Sequence, residues 1–422
     1  MTNASFDVES VRKHYPALSD GWAYLDGAAG TQVPEVVVDA VTRASRGGIG
    51  NHGGAFAASR RSDGFVDAAR TAVADLVGAI DPRGVVLGPN TTTLLFRLAQ
   101  AMSDTWRPGD EVVVSRLDHD ANVRPWVRWA ERTGVSVRWV DPLIPSTDLE
   151  TESFEGVVGP RTRVVAVTAA SNLTGSIPDV AAIAHRAHAV GAVVVVDGVH
   201  ATPHLPVDMV AVGADVWFTS AYKWSGPHVG ALVADPEFLE PLRPDKLAPA
   251  PDEIPWRFET GTPPFADFAG VSAAVDHLAG LASPPTHSAS RRERLVSSMG
   301  AVAAYERDLF IRMHDGLAAM EHVELIGSPT RRTATVYFRI RGRDPAVVAE
   351  HCARARVNVW SGHMYAWELT GLLGVRDTGG GVRAGLVHYN DETDVDRLLD
   401  AIDDLRGPAL RARAAVTPRS TA

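Results

Sequence analysis

Short β-branched runs recur along the chain at residues 85–87, 111–114, 135–140, 164–167, 193–196, 216–218 and 229–233. Between several of them lie stretches with apolar residues at three-to-four spacing, among them 92–102, 123–132 and 178–190, which is the period of a helix with one buried face. Strand and helix in alternation imply right-handed crossovers and a mainly parallel sheet, an α/β fold with helices on both faces. The strands carry valine in consecutive positions, as a sheet buried on two sides requires.

Proline punctuates 242–264, which reads as a long irregular excursion over the surface or as an interface arm. A polar stretch at 283–294 precedes a helical pattern to about Met320. Runs at 335–340, 357–360 and 382–387 then supply three more strands with helices between, and a last helix follows Asn390 to about Leu405. The expected organisation is an N-terminal segment, 1–20, packing beside a small C-terminal α/β domain, 280–410. A large domain occupies 21–279, and 411–422 form a loose tail.

Composition narrows the function. Lys and Arg total 41 against 51 Asp and Glu, a net charge of −10, and the basic residues are scattered, so the footprint for nucleic-acid binding is missing. The longest apolar run, 192–196, is far short of the roughly 20 residues that span a bilayer. The N-terminus has no signal-peptide pattern. A single cysteine, Cys352, allows no intramolecular disulfide and no cysteine-rich metal site, and fits a reducing compartment. The expectation is a cytoplasmic protein with no membrane, nucleic-acid or metal partner.

Three neighbourhoods carry chemistry. Asp197, in Val195-Val196-Asp197-Gly198, is an acid at the carboxyl end of an apolar strand, where ligands of open parallel sheets bind. It either caps a turn or meets a cation brought by a ligand. Lys223 stands alone as a charge in Thr219-Ser220-Ala221-Tyr222-Lys223-Trp224-Ser225-Gly226-Pro227, so it either snorkels to the surface or is a desolvated amine able to attack a carbonyl. In Gly88-Pro89-Asn90-Thr91-Thr92-Thr93-Leu94 a strand passes into a helix whose first turn offers hydroxyls and free N–H groups, either as a plain cap or for phosphate. A phosphate site, an aldehyde-reactive lysine and an acid for a pyridinium nitrogen together describe the needs of pyridoxal 5'-phosphate.

Further stretches carry a resemblance. They are Tyr24-Leu25-Asp26-Gly27-Ala28-Ala29, Asp118-His119-Asp120-Ala121-Asn122 with Pro125-Trp126, Ser171-Asn172-Leu173-Thr174-Gly175, Gly261-Thr262-Pro263 and Val382-Arg383-Ala384. In this order, and with Asp197-Gly198 and Lys223, the chain resembles the class V aminotransferase family of fold-type I enzymes over nearly its whole length. Within that family it is similar to the cysteine desulfurase-like branch. The resemblance implies a homodimer using pyridoxal phosphate. Lys223 would hold the cofactor covalently and then shuttle the α-proton, Asp197 would pair with the ring nitrogen, His119 would stack on the ring and Asn172 would bond its hydroxyl. Asn90, Thr91, Thr92 and Ser220 would hold the phosphate, with Thr262 reaching across from the neighbouring subunit. Arg383 would clamp the substrate carboxylate, with Ala28, Trp360 and His363 around the substrate.

The departures bear on the reaction. The loop that carries the desulfurases' persulfide-forming cysteine aligns with Trp360-Ser361-Gly362-His363-Met364-Tyr365-Ala366, which places Tyr365 at the cysteine position and Trp360 at the usual arginine. A phenol does not accept sulfur as a thiolate does. His200 stands where relatives carry glutamine, to hydrogen-bond the cofactor's ring oxygen, to act as an acid or base, or as a neutral hydrogen-bonding substitute. Cys352 falls with Val348 and Ala355 on one helical face and reads as core. The expected activity is therefore on an amino acid, by β-elimination or C–S lysis without a protein persulfide, with catalytic roles for Lys223, His119, Tyr365 and His200. Transamination, epimerisation and a non-catalytic cofactor-binding role remain as alternatives.

Overall fold

A computed structural model describes residues 6–284 and 286–406, so the expected tail at 411–422 lies outside the described residues. The strands are β1 (Ala23–Tyr24), β2 (Val85–Gly88), β3 (Glu111–Ser115), β4 (Ser136–Val140), β5 (Thr162–Thr168), β6 (Val193–Asp197), β7 (Val216–Ser220), β8 (Gly230–Ala234), β9 (Val323–Ile326), β10 (Thr335–Ile340), β11 (Val357–Asn358), β12 (Trp360–Gly362) and β13 (Gly381–Gly385). Seven of them form one sheet in the order β2-β8-β7-β6-β5-β3-β4. Only β8 runs against its neighbours, so the sheet is mainly parallel, as the alternation of strands and helices implied.

Valine on both faces is explained by two separate cores. Val194 and Val196 of β6 pack into one, and Val195 packs into the other. The first core is covered by helices Glu35–Arg46, Ala57–Val77 and Phe265–Ala279, of which the sequence reading named none. Ala57–Val77 buries Val66, Ala69, Val73 and Val77, a 3.6-residue stripe that short alanines leave weak as a pattern.

The second sheet is antiparallel, in the order β12-β13-β10-β9, and its core includes Val336, Phe338, Val382, Leu398 and the fully buried Cys352. Helix Arg291–Ala318 lies alongside and opens with a capping box between Ser290 and Glu293, which fixes where the polar stretch ends. One expectation is corrected here. Residues 357–360 are not a single strand, because β11 pairs in parallel with β1 while β12 turns to pair with β13. The chain switches partners at Val359, a change that the extended pattern Val357-Asn358-Val359-Trp360 does not reveal.

Residues preceding β1 lie against the chain's last described helix. Arg12 bonds Asp391 at 3.1 Å and Asp394 at 2.9 Å, and donates to the Tyr389 carbonyl at 2.7 Å. Phe6 packs on Tyr305 with ring centroids 4.8 Å apart and planes tilted by 32°.

Candidate active site

The parallel strands β2, β3, β5, β6 and β7 all end on one edge of the large sheet, and each delivers a polar group just past its carboxyl end. β2 leads to Asn90 and Thr91, β3 to Asp118 and His119, and β5 to Asn172. Asp197 closes β6, and β7 ends at Ser220 with Lys223 following in a single 3-10 turn. Sequence neighbourhoods up to 133 residues apart, from Asn90 to Lys223, are thus gathered by topology alone.

Thr91 and Ser220 form a hydroxyl pair 2.8 Å apart, and Thr91 also donates to the Thr219 carbonyl at 3.0 Å. Asn90 caps helix Thr91–Ser103 by accepting from the Thr93 N–H at 2.8 Å. Gly230 makes this approach possible, since a Cβ there would lie 2.4 Å from the Asn90 carbonyl carbon. A helix N-terminus with a hydroxyl pair beside it suits a phosphate group.

Lys223 is buried, and its Nζ donates to the Ala28 carbonyl. Burial and the nearby Arg383 lower its pKa to about 7, against the opposing pull of Asp197 and Asp26. Such an amine is substantially neutral, and so nucleophilic, at neutral pH. Asp197 is buried beside it and pushed up to about 6 by burial, although the Val199 N–H donates to its Oδ1 at 3.0 Å. A carboxylate raised in this way gains from a cation placed against it, which a protonated pyridine nitrogen supplies. Asn172 donates from Nδ2 to the Met364 carbonyl at 2.8 Å, while its buried Oδ1 has no partner among the described residues. That orphan acceptor is free for a ring hydroxyl. On the phosphate, amine, acid and hydroxyl counts, the residues fit pyridoxal phosphate.

His119 is held down to about 3, chiefly by burial and then by Lys223 and Arg383, so it is neutral. Its Nδ1 accepts from the Ala121 N–H at 3.1 Å, which leaves the proton on Nε2. Tyr365 stacks on it with centroids 5.4 Å apart and planes 26° apart. Tyr365 reaches that position through two successive left-handed residues, Met364 at φ 51° and Tyr365 at φ 57°. The strain is held by the Asp120 N–H donating to the Tyr365 carbonyl at 2.8 Å and by the Asn172 bond to Met364. His363 accepts from the Tyr365 N–H through Nδ1 at 3.1 Å and meets Trp367 edge-on, on the outer side of the loop.

Arg383, on β13, is buried and donates to the Asn172 carbonyl at 2.8 Å, which ties the second sheet to the strand ends of the first. Trp360 is its direct antiparallel partner, so the two side chains share a face. Thr92, in the first turn of helix Thr91–Ser103, and Thr262 are both exposed in this single chain. His200 is buried, with Nε2 on the Thr333 and Thr335 hydroxyls at 3.0 and 3.1 Å, and burial drives its pKa well down. It is therefore a neutral hydrogen-bonding group.

Two acids of the site have roles the sequence reading did not assign. Asp118 accepts from Ser115 and from Asn122, is pushed up to about 8 by burial, and feels the Asp197 charge, so it is neutral near pH 7. Its signal in the sequence is weaker than that of Asp197, because β3 begins with Glu111, ends with Ser115 and is followed by Arg116 before Asp118 is reached. Asp26 is mostly buried, with Oδ1 unpartnered among the described residues, and lies close enough to influence both Lys223 and Arg383.

The sequence profile of the family described as aminotransferase class-V matches residues 23–398. The chain is 38% identical over 406 residues to an uncharacterized protein of Mycobacterium tuberculosis, covering 95% of this chain and all of that one. It is 32% identical over 415 residues to a probable cysteine desulfurase of Pseudomonas putida, covering 94% and 98% of the two chains. Among solved structures, a cysteine desulfurase of Escherichia coli superposes with a TM-score of 0.81 at 29% identity, covering 94% of this chain and 98% of that one.

Proposed function

Since this chain belongs to the aminotransferase class-V family, whose enzymes depend on pyridoxal phosphate, we propose that it is a lyase acting on an amino acid, releasing the β-substituent without a protein persulfide. The observation that carries the reading is Lys223: a buried lysine lowered to about 7, set between the Ala28 carbonyl and Asp197 at the strand ends.

Pyridoxal phosphate, when bound, supplies an electron sink that acidifies the bonds at the substrate Cα. This chain's residues do the rest. Thr91, Ser220 and the first turn of helix Thr91–Ser103 would hold the phosphate, with Asn90 fixing that turn. Asp197 would keep the ring nitrogen protonated, Asn172 Oδ1 would accept from the ring hydroxyl, and neutral His119 would lie against the ring. Arg383 binds the substrate carboxylate, and Lys223 Nζ takes the proton from Cα. His200 orients the loop after Asp197 through its threonine bonds. Tyr365 and Trp360 wall the entrance, with Ala28 behind Lys223 and His363 bracing the Tyr365 turn. Thr262, exposed at the end of the proline-rich excursion, reaches the phosphate of a second subunit in a homodimer. An active monomer in analytical ultracentrifugation would remove that role.

The absence of a persulfide step is supported by the one thiol. Cys352 is fully buried in helix Pro345–Arg354, and burial pushes it up to about 12. A protonated, enclosed thiol is inert. Incubation with L-cysteine followed by intact-protein mass spectrometry should show no added sulfur, and Cys352→Ala should retain turnover while losing about 1 kcal/mol of stability. A persulfide on Cys352, with turnover abolished in the alanine variant, would restore a desulfurase reading.

A further inference from the structure

The proposed roles of Lys223 and Arg383 place the substrate's amino and carboxylate ends on different parts of the fold. Lys223 follows β7 of the large sheet, and Arg383 lies on β13 of the antiparallel sheet. What sets the distance between them is a question the site itself leaves open.

Three contacts converge on one buried phenol outside the site. The Tyr15 hydroxyl lies 2.8 Å from Ser225 Oγ, 2.6 Å from His388 Nε2 and 2.9 Å from His277 Nε2. Ser225 is two residues beyond Lys223, and His388 is five residues beyond Arg383. His277 stands on helix Phe265–Ala279 of the large sheet's cover. A phenol carries one proton and two lone pairs, so three partners saturate it. Both imidazoles are neutral, since burial lowers His277 to about 4 and His388 well below its ordinary range.

The same N-terminal segment also grips the lysine loop from both sides. Thr31 donates to the Tyr222 carbonyl at 3.0 Å and accepts from the Ser225 N–H at 2.7 Å, while the Thr31 N–H donates to Tyr222 as well, at 2.9 Å. Ser225 is held at φ 69°, a left-handed conformation that a residue with a Cβ adopts only when its surroundings impose it. On the other arm, the Tyr389 ring packs on Tyr15 at 4.9 Å and its hydroxyl accepts from the Gln32 N–H at 3.1 Å. Residues 15–32 therefore touch the segment that carries Lys223 and the segment that follows Arg383, and they meet at Tyr15.

We infer that Tyr15 is a positioning residue that fixes Lys223 against Arg383 by pinning the loop after one and the turn after the other to a single hydroxyl. The inference rests on the proposed roles of those two residues. Removing the hydroxyl leaves Ser225 Oγ, His277 Nε2 and His388 Nε2 buried without their common partner, so both segments loosen together.

The test uses the full-length, cofactor-loaded protein and its Tyr15→Phe variant. Hydrogen exchange is followed in peptides covering 222–225 and 382–388, together with the circular dichroism of the bound cofactor, which reports how the protein orients it. Tyr15→Phe should speed exchange about tenfold in both peptides, the factor expected for one lost buried hydrogen bond, and should alter the cofactor band. Ser225→Ala should affect 222–225 alone, and keeps the inference testable if Tyr15→Phe fails to fold. Faster exchange in only one peptide of Tyr15→Phe, or in both with an unchanged cofactor band, overturns the inference. Borohydride reduction and peptide mapping of the wild type separate the two levels. A label on another lysine overturns the proposed site and the pin with it, whereas a label on Lys223 beside an unaltered Tyr15→Phe overturns the pin alone.

Discussion

Lys223→Ala is expected to reduce turnover by about four orders of magnitude or more, because one side chain supplies both the nucleophilic amine and the base at Cα. Cofactor should remain bound, though more weakly, through Thr91, Ser220, Asn172 and Asp197. Retained cofactor absorbance with lost turnover is the expected pair of results, and a variant retaining even a tenth of wild-type activity would place the base elsewhere.

The same substitution has an opposite effect on the cofactor-free fold. Burial depresses Lys223 from 10.5 to about 7. Between those values the unfolded chain binds a proton at this site that the folded chain does not, so stability rises with pH through that window and is lowest below it. Lys223→Ala lacks this dependence. Its urea midpoint should exceed that of the wild type near pH 7, and the gap should close as pH rises toward 10. A gap that widened with pH would mean that the lysine is charged and paired in the folded protein.

How much of this was legible beforehand depended on how far apart the cooperating residues lie. The parallel sheet could be read because each valine run is local and the helix period between runs is local too. Lys223 and Asp197 could be read because each is a lone charge in an apolar neighbourhood, a contrast that survives without any knowledge of contacts. Tyr15 could not. Its partner His388 is 373 residues away, and nothing near either residue marks it as anything but an ordinary aromatic. The split between β11 and β12 was hidden for a related reason, since a change of strand partner leaves no trace in hydrophobic pattern. The helix Ala57–Val77 was missed because small alanines cover a core as well as leucine does when two helices approach closely, yet they give a weaker stripe, and Glu35–Arg46 because its first turn is the β-branched run Val36-Val37-Val38.

The largest stability effect outside the site is expected at a buried ion pair that holds the phosphate end together. Arg70, on helix Ala57–Val77, donates from Nη1 and Nη2 to the two carboxylate oxygens of Glu259 at 2.8 and 3.0 Å, and both side chains are only 6% exposed. The pair is knitted into its surroundings. Arg70 also donates to the Val85 carbonyl and lies over the Trp256 ring at 4.7 Å, while Glu259 Oε1 accepts from the Leu87 N–H at 2.7 Å. β2 is thereby fixed on its way to Asn90 and Thr91, and the proline-rich excursion is fixed two residues before Gly261-Thr262. Glu259→Ala leaves a buried guanidinium without a counter-charge and a strand N–H without an acceptor, which should cost about 3–5 kcal/mol. The loss should appear as a lower urea midpoint at constant slope. Pyridoxal phosphate affinity should fall with it, because the turn before helix Thr91–Ser103 loses its anchor. Arg70→Met with Glu259→Leu removes both charges at once and should recover most of the stability, since neither ion is then left buried alone. It should not recover the affinity, because the Leu87 N–H still lacks its acceptor and the excursion its anchor. A Glu259→Ala loss below about 1 kcal/mol, the range of an exposed pair, would show that solvent reaches the guanidinium and that the segment is not clamped there.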